Sequence, residues 1–158
     1  ECMKLDFTEL VLQTSAEYEE KFEERNLTEI QNLPKEKALV YIDGRRTWRI
    51  LANLYNNAAK YAMTGSRIYT DLKVTEGAVI FSIKNISEQP LNINADQLTE
   101  RFIRGDISRS TEGSGLGLSI AQTLTEMQKG KFELYLDGDL FKATVTFPKV
   151  QEEQSTQI

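Results

Sequence analysis

From Phe132 to Phe147 the chain alternates apolar and other residues on both sides of Asp137-Gly138-Asp139. Phe132, Leu134 and Leu136 lead in, and Phe141, Ala143, Val145 and Phe147 lead back out. Side chains of an extended strand point to opposite faces in turn, so a period of two gives each strand one apolar side. The Asp-Gly pair supplies the tight turn between them. This segment predicts a β-hairpin with one apolar face. Two more alternating stretches, Arg67–Val74 and Ala78–Asn85, flank Thr75-Glu76-Gly77 and predict a second hairpin.

Helical patterns supply a layer to cover such a sheet. Phe7, Leu10, Val11, Tyr18 and Phe22 recur at helical spacing, and Asp6 with Glu9 resembles a capping box, so residues 6–25 read as one helix. Its acidic side (Glu17, Glu19, Glu20, Glu23, Glu24) reads as a solvated face. Leu27 to Ile42 contains two short apolar stretches around Leu33-Pro34, read as two strands joined by a turn. Asp43 is placed to cap a helix running to about Met63, where Thr64-Gly65 stops it. A further helix is expected from about Gly115 to Gln128, with Leu116, Ile120, Leu124 and Met127 on one side. Residues 86–113 are polar and weakly periodic, with a short helix expected at 95–102; a stretch of that length in a compact domain is usually functional. The fold class is α+β: a two-layer α/β sandwich, with a mixed, mostly antiparallel sheet packed against three helices.

Composition narrows the chemistry. At 158 residues and 18.0 kDa the chain suits one domain. No apolar run approaches the ~18 residues of a membrane span, so no membrane contact is expected of this chain. With 19 Lys+Arg against 24 Asp+Glu the net charge is −5, which argues against nucleic acid as a partner. One Cys, Cys2, cannot form an internal disulfide, and a reducing cytoplasmic setting fits. The chain has no His, which excludes Ser/His/Asp and Cys/His nucleophile systems and ordinary structural zinc sites.

Three constellations remain. In Asn53-Leu54-Tyr55-Asn56-Asn57-Ala58-Ala59-Lys60-Tyr61, helical geometry puts Asn53, Asn57 and Lys60 on one stripe, apart from Trp48, Leu51, Leu54 and Ala58, which can face the core. Carboxamide oxygens suit a cation such as Mg²⁺ shared with phosphates; an exposed polar face is the other reading. In Thr111-Glu112-Gly113-Ser114-Gly115-Leu116-Gly117-Leu118, glycines let backbone N–H groups approach an anion at a helix N-terminus, or else form a flexible connector. This is neither a P-loop nor a Rossmann fingerprint, because no Gly-Lys-Ser/Thr follows and the glycine spacing differs. Arg101, Arg104 and Arg109 suit multidentate phosphate contacts. All three make sense around a polyphosphate.

Asn53-Leu54-x-x-Asn57-Ala58-x-Lys60-Tyr61, then Arg104-Gly105-Asp106-x-Ser108-Arg109, then Gly113-Ser114-Gly115-Leu116-Gly117-Leu118-Ser119-Ile120-Ala121 resembles the catalytic, ATP-binding domain of bacterial two-component sensor histidine kinases, of the Bergerat-type ATPase superfamily. The likeness runs from about Leu5 to Phe147. It implies a Bergerat fold over residues 6–148, residues 1–5 as the end of a linker, a lid at about 102–113 and a polar tail at 149–158. It implies ATP and Mg²⁺ as ligands: Asn57 coordinating the metal, Asn53 lining the same site, Lys60 neutralising phosphate and Tyr61 lying against adenine. Core packing is the rival role for Tyr61. Phe102 matches the family's phenylalanine box, Arg104 and Arg109 reach the phosphates, and Gly113, Ser114, Gly115, Leu116 and Gly117 bind them where the lid meets the helix.

The resemblance also implies partners. The γ-phosphoryl group goes to a histidine on a separate dimerisation domain, which this chain cannot contain, and a response regulator acts downstream. The parent would be a membrane-anchored sensor with this domain in the cytoplasm. Two departures stand out. The family's Asp-x-Gly-x-Gly reads Asn85-Ile86-Ser87-Glu88-Gln89, leaving Asn85 as a neutral acceptor for the adenine amino group, and a later glycine box is reduced to Asp137-Gly138-Asp139. A serine-directed kinase of the same superfamily and a degenerate nucleotide- or partner-binding module are the alternatives.

Overall fold

The computed structural model describes residues 1–91 and 116–151. The sheet is built from the segments whose sequences alternate. β4 (Arg67–Val74) and β5 (Ala78–Ile86) pair antiparallel, β5 pairs with β7 (Leu140–Pro148), and β7 pairs with β6 (Lys131–Asp137). With β2 (Thr28–Asn32) parallel to β4 at one edge, the strand order is β2-β4-β5-β7-β6. Val79, Phe81 and Ile83 of β5 and Phe141, Ala143, Val145 and Phe147 of β7 are buried on one face, as period two requires.

That face is covered by α3 (Gly44–Tyr61), by α1 (Phe7–Glu17) with α2 (Glu19–Glu24), and by α4 (Leu116–Met127). Asp43 caps α3 as expected, its carboxylate accepting from Arg46 N at 3.0 Å. Ile50, Leu51, Leu54, Tyr55 and Ala58 of α3 are buried, whereas Trp48 is only half-buried and donates its indole N–H to Glu17 at 2.7 Å. Aromatic rings join the layers: Tyr55 stacks on Phe22 (5.9 Å, 10°) and Phe81 (6.4 Å, 20°), and Phe7 lies 6.1 Å from both Phe81 and Phe147.

One expectation is corrected and another refined. The helix read over 6–25 breaks at Tyr18 into α1 and α2, and Asp6 belongs to β1 (Cys2–Asp6) while its carboxylate caps α1 through Thr8 N. The break leaves the apolar spacing intact, because Tyr18 and Phe22 still pack together and onto Tyr55. The two strands expected between Leu27 and Ile42 are present, and each pairs with a different element. β2 joins the five-stranded sheet, and β3 (Leu39–Asp43) pairs antiparallel with β1 as a separate two-stranded sheet. The short helix expected at 95–102 and the lid at 102–113 lie outside the described residues.

Candidate functional site

The site is built on the polar side of α3. Asn53, Asn57 and Lys60 fall at i, i+4 and i+7 and are all half-buried, on a face separate from the fully buried Leu51, Leu54, Tyr55 and Ala58. The stripe is therefore neither core nor open solvent. Asn53 Nδ2 is buried and has no hydrogen-bond partner among the described residues. A buried amide donor left unpaired costs free energy, so this group marks a place where a further polar partner would be stabilising.

α4 closes the stripe from one side. Gly117, in its first turn, packs against Asn53: a Cβ there would lie 3.5 Å from Asn53 Oδ1 and 3.6 Å from its Cβ and Cγ. Those are ordinary contact distances, so packing alone leaves room for alanine at 117. The first turn of α4 also presents backbone N–H groups without intrahelical partners and the positive end of the helix dipole.

β5 and the segment after it form the adjoining wall. Asn85 is 4% exposed and continues the helix-facing row of Val79, Phe81 and Ile83, which places a carboxamide at the end of an apolar stripe. The end of α3 is stitched to this segment. Met63 N donates to Ile86 O at 2.8 Å, Glu88 N donates to Tyr61 O at 2.8 Å, and Ala62 bridges Ser87. Ser87 N also donates to the Asp139 carbonyl at 2.7 Å, tying the two reduced glycine segments together. Tyr61 is 39% exposed, which disposes of core packing as its role.

Sequence reasoning missed Arg25. Its guanidinium donates to Ala59 O at 2.7 Å, to Thr64 Oγ1 at 3.1 Å and to Glu88 Oε1 at 2.5 Å, fixing the end of α3 against the segment after β5. Only an unpaired basic residue at the end of an acidic helix hinted at this. Also missed was Gln128, which accepts from Asp43 N at 2.7 Å and donates to Thr47 Oγ1 at 3.2 Å, binding the end of α4 to the start of α3. Of the other expected site residues, Phe102, Arg104, Arg109, Gly113, Ser114 and Gly115 lie outside the described residues. Leu116 opens the α4 backbone, its side chain lying outside as well.

Among the described residues no group of three or more Asp, Glu or Cys side chains is arranged to hold a metal. A hard divalent cation at this site would depend on carboxamide oxygens and on the oxygens of the ligand it accompanies. Asn57 carries such an oxygen, and the amide of Asn53 one turn away, unpaired among the described residues, fits a site completed by a polar ligand.

The fold is that of histidine kinase catalytic domains. The catalytic domain of histidine kinase ThkA superposes with a TM-score of 0.81 at 24% identity, over 94% of this chain and 96% of that one. The Acinetobacter baumannii histidine kinase AdeS superposes with a TM-score of 0.73 at 20% identity, over 96% of this chain and 68% of that one. Among curated proteins, histidine protein kinase SaeS of Staphylococcus aureus (strain USA300) is 32% identical over 156 residues, 95% of this chain and 44% of its own length. Sensor histidine kinase WalK of Bacillus subtilis is 27% identical over 137 residues, 83% of this chain and 22% of its own length. The chain thus spans less than half the length of these relatives. Residues 42–155 match the family of histidine kinase-, DNA gyrase B-, and HSP90-like ATPases, and the chain belongs to that family. It has the architecture of the ATPase domain of a sensor kinase. No helix among the described residues is long and apolar enough to cross a membrane.

Proposed function

We propose that this chain binds ATP with Mg²⁺ in the groove between α3 and α4 and presents the γ-phosphoryl group to a histidine on a separate dimerisation domain. The observation that carries this reading is the buried Nδ2 of Asn53, unpartnered among the described residues, on a side chain that packs through Oδ1 and Cβ against Gly117 at the start of α4. A fold completed for its own sake would pair that donor or replace it with an apolar side chain. The glycine opposite it is not required by packing, which supports a role in letting a ligand approach the backbone.

In this reading Asn57 is the protein's ligand to Mg²⁺ and Asn53 donates to a phosphate oxygen. Lys60 offsets triphosphate charge, and the first turn of α4, with Ser114, Gly115, Leu116 and Gly117, receives phosphate oxygens. Asn85 accepts from the adenine amino group through its carboxamide oxygen, and Tyr61 lies against the base. Phe102, Arg104, Arg109 and Gly113 belong to the lid. Mg²⁺, when bound, neutralises and orients the phosphate oxygens. The domain's contribution is positioning and charge stabilisation: the bond between the γ-phosphorus and the β,γ-bridging oxygen breaks, ADP leaves, and a phosphorus–nitrogen bond forms on the incoming imidazole. The acceptor histidine and the response regulator downstream are supplied from outside this chain, whose sequence has no His.

A second reading, a module that binds nucleotide weakly and supports little transfer, is favoured by one feature. The segment Asn85–Gln89 lacks the family's glycines and is held by the backbone bonds at Ile86, Ser87 and Glu88. Calorimetry with ADP and a nonhydrolysable ATP analogue, with and without Mg²⁺, followed by incubation with ATP and a histidine-bearing dimerisation domain, separates the two. Tight Mg²⁺-dependent binding with acid-labile phosphate on that domain supports kinase function. Binding without transfer supports the second reading, and acid-stable phosphoserine on a partner points to a serine-directed kinase.

A further inference from the structure

Among the described residues the sheet has one face packed on helices and one face open, and the open face is not uniformly polar. One row of side chains crosses all five strands: Ile30 is opposite Tyr69, Tyr69 opposite Lys84, Lys84 opposite Lys142, and Lys142 opposite Tyr135. Ile30, Tyr69 and Tyr135 are 41%, 37% and 54% exposed, placing three of the chain's exposed large apolar side chains in a single line. Two lysines lie at its centre, directly opposite each other on β5 and β7. Like charges so placed destabilise a sheet. The chain is acidic, with net charge −5, and neither lysine is ion-paired with a described carboxylate; Lys84 instead lies over the Tyr69 ring at 5.7 Å. Next to the row runs a groove of about 510 Å³, of mixed charge, lined by Leu33, Pro34 and Ile80 with Lys73 and Lys142 on the basic side and Glu36 and Asp71 on the acidic side, so an acidic occupant lies over the row and not in this groove.

We propose that this open face is a docking surface for an acidic amphipathic helix of a partner protein, lying along the Ile30–Tyr135 row. Complementarity of charge and spacing selects this occupant. Facing side chains on adjacent strands are about 5 Å apart, and carboxylates at i and i+4 of a helix are separated by about the same distance, so one such pair sits over Lys84 and Lys142. The row spans roughly 19 Å across five strands, the length of a helix of about 13 residues, so aliphatic residues a turn away on either side reach Ile30 and Tyr69 or Tyr135. β5 and β7 are interior strands with their backbones paired, so strand addition is not available at the lysines and contact must be through side chains. The neighbouring row carries Asp71 and Glu133, which, with the net negative charge, disfavours an anionic lipid surface and favours a partner of fixed charge pattern. A helix there would add a third layer to the sandwich, away from the helical face that carries the α3–α4 groove.

The test uses the ¹⁵N-labelled chain and a blocked synthetic helix of roughly 18 residues, with Leu and Glu on one face and Ala and Gln on the other. Titration is expected to shift the amide resonances of Tyr69, Lys84, Lys142 and Tyr135. Binding should weaken about tenfold or more in Lys84→Ala/Lys142→Ala and be retained in Lys84→Arg/Lys142→Arg. The unliganded alanine variant should melt no lower than the parent chain, since it loses a repulsion, which separates lost docking from lost folding. Four results each overturn the proposal: no shift on this row, equal binding of a peptide with Lys for Glu, binding only to phosphatidylcholine–phosphatidylglycerol vesicles, or self-association of the chain that the alanine substitutions abolish.

Discussion

Tyr55 Oη donates to Glu29 Oε2 at 2.7 Å, joining the middle of α3 to the edge strand β2. The same carboxylate accepts from Thr70 Oγ1 of β4 at 2.7 Å and from Ser15 Oγ of α1 at 2.6 Å, so four elements meet on one acidic side chain. Tyr55 is fully buried. Burial first, and then the Glu29 charge and hydrogen bond, hold its phenol far above the ordinary tyrosine value. A group whose folded pKa is raised contributes stability that is fully present below its unfolded pKa and is lost as pH rises past it. Chemical denaturation as a function of pH should therefore show stability falling above about pH 10. Tyr55→Phe keeps the ring stack, should cost about 1 kcal/mol near neutrality, and should flatten that alkaline slope.

Gly130 is fixed by packing. A Cβ there would lie 2.6 Å from Phe147 Cε1 and 2.9 Å from Thr125 Cγ2, and Phe147 is buried among the core aromatics. Gly130→Ala should lower stability by about 1–3 kcal/mol in urea denaturation, as overpacking does, with the slope unchanged.

Arg25 should act at a distance from the ligand. Arg25→Ala removes donors from Ala59 O and Glu88, and is expected to cost about 1–2 kcal/mol. Nucleotide affinity should fall with it, because the end of α3 loses its tie to the segment after β5. Arg25→Lys should recover only part of both losses, since an ammonium cannot reproduce the forked contact to Ala59 and Thr64. Calorimetry alongside thermal melting reads the two effects separately.

Most of the frame was legible from periodicity. The β4–β5 and β6–β7 hairpins, the Asp43 cap and the extent of α3 all follow from local pattern, because each is a contact between near neighbours in sequence. The first 43 residues were less legible for the opposite reason. β2 and β3 are strands of five residues whose partners, β4 and β1, lie far away along the chain, and nothing in residues 28–43 distinguishes pairing with each other from pairing elsewhere. The break at Tyr18 was hidden because Tyr18 and Phe22 keep helical spacing across it. In the site, the Asn53–Asn57–Lys60 stripe was legible because helical geometry dictates it. Arg25 and Glu29 were not, since each is given meaning only by hydroxyl and carbonyl groups that the fold brings from other elements.

Gly117 separates the needs of folding from those of the ligand. Gly117→Ala should melt within a few degrees of the parent chain, its Cβ in ordinary contact with Asn53. In nucleotide titration it should bind about tenfold more weakly, because in the proposed site the added methyl group would occupy the space that phosphate oxygens take at the start of α4.

Asn57→Ala tests the central claim most directly, by isothermal titration of a nonhydrolysable ATP analogue with and without Mg²⁺. Asn57 is half-buried and stands outside the fully buried face of α3, so the variant should fold as the parent chain does. The expected result is that Mg²⁺ strengthens binding to the parent chain and no longer does so in the variant. Equal Mg²⁺-dependent affinity in both proteins would contradict a carboxamide-held metal–nucleotide site on α3.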